Sequence, residues 1–231
     1  MLACGRIGYE PLPPGGDGGL VPPDASESMC EEKCTSGRCE GAMCIIECTS
    51  KSPCSMVQCP DGVPCDVVCT DGNCDTVSCN EATDCVVSCQ GQLSCSGGVD
   101  CGSAGTCQVE CQGNSSCGGA IDCNRAQTCE VSCNGADSCP NGVMCGQSDC
   151  MVACSGAGSC SAGLECGPNA CDLRCAGNGS CASGLDCSES CSCEASCRGG
   201  PDPCAGGIDC PPGCATADGC TGEGAGCDVC M

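Results

Sequence analysis

The sequence predicts an all-β fold, a flattened and disulfide-stapled β-solenoid of about eight ~21-residue rungs with little or no helix. Three observations predict it. Cysteine accounts for 41 of the 231 residues. A unit of four cysteines repeats every 20 to 22 residues. The few aliphatic residues fall into two columns of that repeat, spaced as in β-strands.

The composition excludes several classes of protein. Val, Ile and Leu together number only 26, Phe and Trp are absent, and the formal net charge is −23. Without its cysteines such a chain would be disordered, so an ordinary hydrophobic core is excluded. No apolar run approaches the ~20 residues of a membrane-spanning helix. With 7 basic against 30 acidic residues, we expect no binding to nucleic acid.

The spacing of the cysteines favours disulfides over metal binding. Metallothionein-type chains depend on many C-x-C and C-x-x-C pairs, whereas this chain has one of each, at Cys191/Cys193 and Cys227/Cys230. It also has no His to complete a mixed zinc site. Disulfides require an oxidising compartment. A metal-thiolate protein remains the alternative at this point.

The first residues suggest how the chain is exported. Residues 2–5 read Leu-Ala-Cys-Gly, which resembles the lipobox of bacterial lipoproteins. The resemblance implies that Cys4 is acylated, and Gly5 at the next position implies the outer membrane or cell surface. No charged and apolar signal regions precede the motif, so we expect a start codon placed too late or a signal already removed. Forty cysteines remain to pair if Cys4 carries lipid.

The following segments divide the chain. Pro and Gly dominate residues 5–29, so we predict that residues 1–29 are a lipobox-like start and a disordered tether. Residues 30–231 are predicted to form the cysteine-rich solenoid. Its irregular ends, 30–43 and 211–231, are expected to cap the repeats at 44–210, because a solenoid needs atypical ends to close its core.

The repeat has a strand-like pattern. The C-x-x-x-C pairs of successive units begin at Cys44, Cys65, Cys85, Cys107, Cys129, Cys150, Cys171 and Cys193. Two residues after these cysteines is a first column of small or aliphatic residues: Ile46, Val67, Val87, Val109, Val131, Val152, Leu173 and Ala195. Two residues before the fourth cysteine of each unit is a second column: Val57, Val77, Val99, Ile121, Val143, Leu164, Leu185 and Ile208. Residues two apart share a strand face, so both columns and their flanking cysteines are predicted to point inward.

Folding one strand of a rung back on the other predicts a pairing of its cysteines. In the unit that begins at residue 107, Cys111 is expected to bond to Cys117, and Cys107 to Cys123. The two bonds would bracket the aliphatic pair. Bonds between neighbouring rungs are the alternative, because connectivity does not follow from sequence alone.

One outward column contains possible metal ligands. The residue before the fourth cysteine is acidic in five of eight units: Asp100, Asp122, Glu165, Asp186 and Asp209. Carboxylates stacked at the ~4.8 Å spacing of strands repel one another, and Ca²⁺ would relieve that repulsion. The column is therefore either a solvated acidic face or a calcium site. No other cofactor is expected.

The sequence contains no catalytic residues that we can identify. It has no His to activate a serine, and no Trp or Phe to stack on a sugar. A thin core also leaves no pocket of the usual size. We therefore expect a non-enzymatic, acidic cell-envelope lipoprotein that contacts the membrane through lipid alone and has a structural or weak binding role. The alternative is a metal-binding protein, using Ca²⁺ on the acidic column or soft metals on thiolates. No motif identifies a protein or glycan partner.

Overall fold

The computed structural model describes residues 25–72, 74–190 and 192–210. These residues form one short helix and 17 strands. The strands lie in two sheets, and each turn of the chain adds one strand to each sheet. All strand pairs are parallel except the first, which is antiparallel. The predicted disulfide-stapled β-solenoid of about eight rungs is thus confirmed.

The first sheet has nine strands and is formed mainly by the C-x-x-x-C segments. Its strands are β1 (Arg38–Glu40), β2 (Met43–Cys48), β4 (Cys65–Cys69), β6 (Asp84–Cys89), β8 (Thr106–Cys111), β10 (Thr128–Cys133), β12 (Asp149–Cys154), β14 (Ala170–Cys175) and β16 (Ser192–Cys197).

The second sheet has eight shorter strands, which precede the fourth cysteine of each rung. These strands are β3 (Cys54–Gln58), β5 (Cys74–Ser78), β7 (Gly98–Asp100), β9 (Ile121–Asp122), β11 (Val143–Met144), β13 (Leu164–Glu165), β15 (Leu185–Asp186) and β17 (Ile208–Asp209).

The two aliphatic columns form the core between the sheets. Val131 is in register with Val109 below it and Val152 above it, and Val143 is in register with Ile121 and Leu164. Within β10 the residues alternate between buried and outward-facing, as a strand with one covered face requires. Every member of both columns is at most 3% exposed except Ile208 in the last rung, which is partly buried.

A disulfide spans each corner of every rung, and all 35 cysteines in the described ranges are disulfide-bonded. One corner joins the second and third cysteines of a rung, as in the expected bond between Cys111 and Cys117. The Cα atoms of that pair are 6.0 Å apart, within the normal range for a cystine.

The other expected bond, between Cys107 and Cys123, is wrong. Cys107 bonds instead to Cys101 of the preceding rung, and Cys123 bonds to Cys129 of the following rung. The reason is the loop that links successive rungs. Its five residues return the chain so tightly that the Cα atoms of Cys101 and Cys107 are 5.8 Å apart. Both corners are therefore closed in the same way, each by a short loop and a local bond.

The loops at the first corner stack as closely as the strands. In the five loops that precede Cys95, Cys117, Cys139, Cys160 and Cys181, a glycine lies two residues after the second cysteine and a serine directly before the third. Ser138 is fully buried, and its Oγ donates a hydrogen bond of 2.7 Å to the carbonyl oxygen of Gly135. The equivalent bonds are made by Ser94, Ser116, Ser159 and Ser180. This serine column was not predicted, although the sequence carries a clear signal for it: Ser precedes the third cysteine in five consecutive units.

The N-terminal end is closed by helix α1 (Ala25–Lys33) and β1. The disulfide from Cys30 to Cys39 joins the helix to β1, and the disulfide from Cys34 to Cys44 fixes this cap to the first rung. The helix begins at residue 25, so the last five positions of the predicted tether, 25–29, are helical. The physical reason is local: this stretch lacks Pro and Gly, and its acidic first turn and basic last turn suit the helix dipole. The proposed C-terminal cap, 211–231, lies outside the described residues.

Candidate functional site

The predicted acidic column exists on the outer face of the second sheet. Asp100 is in register with Asp122, and Glu165 with Asp186 and then Asp209. Met144 separates the two groups, because it occupies the equivalent position of the intervening rung. The structure therefore brings the five carboxylates into one line, interrupted once.

Three of these carboxylates are used by the turns that follow them. Asp100 Oδ1 accepts a hydrogen bond from the backbone N–H of Gly102 at 2.8 Å, and Asp122 Oδ1 accepts one from Asn124 at 2.9 Å. Asp186 Oδ1 accepts from both the N–H and the hydroxyl of Ser188, at 3.0 and 2.7 Å. These bonds hold the pKa of Asp186 below its usual value, with the hydroxyl bond the larger cause. Such Asx turns give the column a structural role in three of its five rungs.

The C-terminal part of the column borders an open groove. Glu165, Asp186 and Asp209 line one side of this 490 Å³ groove, and its floor includes Gly163, Gly184 and Gly207. These three glycines have φ of 91°, 98° and 84°, a conformation that side chains disfavour. Gly163 and Gly184 are buried, because the backbone of the following rung lies where their side chains would be, whereas Gly207 in the last rung is exposed. This surface can attract cations, and it has no neighbouring basic group among the residues that line it.

A second groove, of about 550 Å³, runs along the outer face of the first sheet. Its rims carry the carboxylates of Glu130, Asp149, Asp172 and Glu194, and its floor includes Met151, which is 46% exposed. This groove was not predicted from the sequence. The residue before and the residue after the first cysteine of each unit point outward on the same face of the strand. Stacked through several rungs, these two positions form two outward columns, and the groove lies along them.

Few cations compensate these carboxylates. Arg174 Nη2 lies 2.6 Å from Asp172 Oδ2, and this bond raises the pKa of the Arg174 guanidinium. Arg38 lies 2.9 Å from both Glu40 and Glu47 at the N-terminal end of the same sheet. Such exposed pairs contribute little to stability, typically below ~1 kcal/mol.

Asp66 is the described carboxylate with the clearest unfavourable environment. It is in register with Ile45 on the outer face of the first sheet. Partial burial raises the pKa of Asp66, and the charges of Glu40 and Glu47 raise it further. This position is therefore pH-sensitive without belonging to a cavity or a bonded network.

Within residues 25–72, 74–190 and 192–210, the sulfur atoms do not form a thiolate metal site in their disulfide-bonded state. Several triplets, for example Cys101, Cys123 and Cys129, have Sγ atoms within 4.8 Å of one another. All three are in disulfides, and a metal binds the deprotonated thiol rather than the cystine. The serine column offers no nucleophile either, because each hydroxyl is buried and donates to a backbone carbonyl.

Cys4, the predicted lipidation site, lies outside the described residues. Among the part of the chain that the structure covers, no helix is long and apolar enough to cross a membrane. The disulfides indicate an oxidising, extracellular-type environment for the solenoid. No protein-family model matches the sequence, and no curated protein or solved structure shows significant similarity to it.

Proposed function

We propose that this protein is a non-enzymatic cell-envelope lipoprotein whose solenoid is a rigid, acidic module with a structural or weak binding role. The observation that carries the proposal is that a disulfide closes both corners of successive rungs. Most rungs bury only one aliphatic pair, worth a few kcal/mol at most. A disulfide typically adds ~2–4 kcal/mol, mainly by restricting the unfolded chain. Covalent bonds therefore take the place of a large core, as suits a protein exposed to proteases.

The lipid anchor is the part of the proposal that rests on residues 2–5 alone. Attachment at Cys4 would leave the Pro/Gly-rich segment as a spacer between the membrane and the solenoid. An acidic surface with a net charge of −23 also keeps such a module soluble and free of nucleic acid.

Intact mass spectrometry tests both halves of this proposal. The gene, with its natural upstream DNA, is expressed in a bacterial host, and the membrane fraction is analysed with and without reduction and alkylation. We expect a mass increase for acyl chains at the N-terminus, its loss in Cys4→Ala, and no free thiols before reduction. A soluble, unacylated product would refute the anchor, and a product with many free thiols would refute the stapled module.

Metal binding, the alternative function, stays a prediction. Glu165, Asp186 and Asp209 share one groove, which is the observation in its favour. The hydrogen bonds of Asp186 to its own turn weigh against it, because they use one of its carboxylate oxygens. Calcium titration separates the two functions, as described in the Discussion.

A further inference from the structure

The cystines at the first corner of the rungs are stacked in a continuous series, which we call the corner ladder. Its members are the disulfides Cys48–Cys54, Cys69–Cys74, Cys89–Cys95, Cys111–Cys117, Cys133–Cys139, Cys154–Cys160, Cys175–Cys181 and Cys197–Cys204. Parallel register places the second cysteine of each rung directly beside that of the next, for example Cys175 beside Cys197.

Sulfur atoms of neighbouring cystines approach one another closely. In the corner ladder, the Sγ atoms of Cys111, Cys133 and Cys139 all lie within 4.8 Å of one another. The same holds for Cys89 with Cys111 and Cys117. At the opposite corner, Cys101 Sγ and Cys123 Sγ are 3.6 Å apart although they belong to different disulfides. The Sγ atoms of Cys48, Cys69 and Cys74 at the N-terminal end are grouped in the same way, so these cystines have the next one within reach of their sulfur atoms.

The corner ladder is sealed along its length and accessible at its ends. Its interior cysteines, from Cys69 to Cys181, are at most 1% exposed. Cys54 at one end, and Cys197 and Cys204 at the other, are only partly buried. An external reagent therefore meets the end cystines first. The exposed guanidinium of Arg198 follows Cys197 in the chain, and a neighbouring cation favours the thiolate form of a cysteine.

We propose that the corner ladder is a thiol–disulfide exchange relay, which reacts with small thiols at its end cystines and passes the resulting thiolate inward. This activity goes beyond the proposed envelope function and does not depend on the lipid anchor. It requires an external thiol as the co-reactant. The solenoid would then redistribute a broken bond along its length instead of unfolding at the point of attack.

Each step conserves atoms and electrons. The external thiol loses its proton to water, and its thiolate attacks Cys204 Sγ. A mixed disulfide forms on Cys204, the Cys197–Cys204 bond breaks, and Cys197 leaves as a thiolate. Cys197 then attacks one sulfur of the Cys175–Cys181 cystine, which forms a rung-shifted bond and releases the other sulfur as the next thiolate. In each exchange the attacking sulfur is oxidised and the leaving sulfur is reduced by the same amount, so the number of disulfide bonds stays constant.

Burial makes the internal steps slow at neutral pH. A thiol in apolar surroundings has a raised pKa, so less of it is the reactive thiolate. The relay should therefore speed up as the pH rises from 7 to 9. The rate of labelling at interior cysteines can therefore be compared at pH 7 and pH 9 in the same protein, without any substitution.

The test uses the folded, oxidised chain with less than one equivalent of 2-mercaptoethanol at pH 8.5. The reaction is quenched with acid, free thiols are alkylated, and peptic peptides are mapped without reduction. We expect the mixed disulfide at an end cystine, the alkyl label on interior ladder cysteines, and rung-shifted bonds such as Cys111 to Cys133 or Cys139. Label confined to Cys54, Cys197 and Cys204 and their direct partners would overturn the relay. So would fully reduced chains beside untouched ones, since these indicate global unfolding.

Two paired substitutions locate the pathway. Cys175→Ala with Cys181→Ala removes the cystine next to the C-terminal end, and we expect at least a tenfold loss of interior label that enters from that end. Cys187→Ala with Cys193→Ala removes one cystine from the opposite corner and should leave the interior label unchanged. If the first pair fails to fold, the wild-type map still decides, because a relay gives interior label together with rung-shifted bonds in chains that keep their other disulfides, whereas unfolding gives fully reduced chains.

Discussion

Gly135 and Gly156 stack directly on each other in successive loops at the first corner. A Cβ on Gly156 would lie well within 3.0 Å of the carbonyl oxygen of Gly135, closer than real Cβ atoms approach. The same relationship holds between Gly113 and Gly135 and between Gly156 and Gly177. These glycines are required by close packing of loop on loop, since none of the four has a positive φ. The loop column is therefore as tightly packed as the aliphatic core.

The first prediction follows from this contact. Gly156→Ala should lower the free energy of unfolding by ~1–3 kcal/mol, because the added methyl group forces backbone shifts in a close-packed stack. The measurement is denaturant unfolding of the oxidised protein. Gly72→Ala is the matched control, since its Cβ would lie 3.1 Å from the Gln92 carbonyl oxygen and needs only a small adjustment. Equal effects of both substitutions would contradict the stacking account.

The second prediction concerns the aliphatic column. Val131 is 1% exposed and lies between Val109 and Val152. Val131→Ala should cost about 2 kcal/mol, from two lost methyl groups and the remaining cavity. The outward-facing neighbour Ser132 provides the control, and Ser132→Ala should change stability by less than ~0.5 kcal/mol. An unaffected Val131→Ala protein would mean that the disulfides alone define the fold.

Sequence periodicity was sufficient to predict the architecture, because both halves of the rung obey simple rules. Alternation of cysteine and aliphatic residues around Val109 or Ile121 predicts strands, and a constant repeat length predicts their stacking. The bond between Cys111 and Cys117 also followed from the fold-back of a rung.

The pairing at the other corner did not follow from the sequence. Cys107 has two candidate partners, Cys101 and Cys123, which directly follow strands β7 and β9 of the facing sheet. The periodic pattern treats the two alike. The path of the five-residue loop decides between them, because it brings the Cα atoms of Cys101 and Cys107 to within 5.8 Å of each other.

The left-handed backbone at Cys117, with φ of 51°, could not be predicted from the sequence either, since such a conformation is normally associated with Gly or Asn.

The spacing of the acidic residues predicted their alignment in a column but not the function of that column. The five carboxylates form the expected line, but the sequence pattern does not show which of their oxygens are already in use. The bonds from Gly102 to Asp100 and from Ser188 to Asp186 depend on turn geometry two residues later.

The third prediction concerns calcium. If the column serves the turns, millimolar Ca²⁺ should leave the thermal midpoint unchanged and give no binding heat in calorimetry. Binding that stabilises the fold, with loss of the effect in Glu165→Gln, would instead support the metal-binding alternative. Glu110→Gln, on the other sheet, controls for a general effect of charge.

The fourth prediction concerns pH and Asp66. Burial and the nearby Glu40 and Glu47 raise the pKa of Asp66 in the folded chain. The folded state therefore binds this proton more tightly than the unfolded state does. The stabilising contribution is fully present below the unfolded pKa and is lost as the pH rises through the higher folded pKa.

Asp66→Asn should remove this dependence and raise the thermal midpoint slightly at pH 7. Thermal unfolding of both proteins between pH 3 and pH 7 measures the effect. Asp84→Asn, an exposed substitution in the next strand of the same sheet, serves as the control. A lower midpoint for Asp66→Asn at pH 7 would show that the ionised carboxylate is stabilising, contrary to this account.

The most direct test of the stapled solenoid is a tryptic digest of the thiol-blocked, denatured protein without reduction. Cleavage after Lys51, Arg125, Arg174 and Arg198 gives peptides 52–125, 126–174 and 175–198. The corner scheme predicts that 126–174 stays bonded to 52–125 through Cys123 and Cys129, and that nothing joins 126–174 to 175–198. Bonds within rungs would give the reverse result, with 126–174 free of 52–125 and attached to 175–198 through Cys171 and Cys187. The masses of the linked peptides decide between the two, and the second pattern would contradict the structure described above.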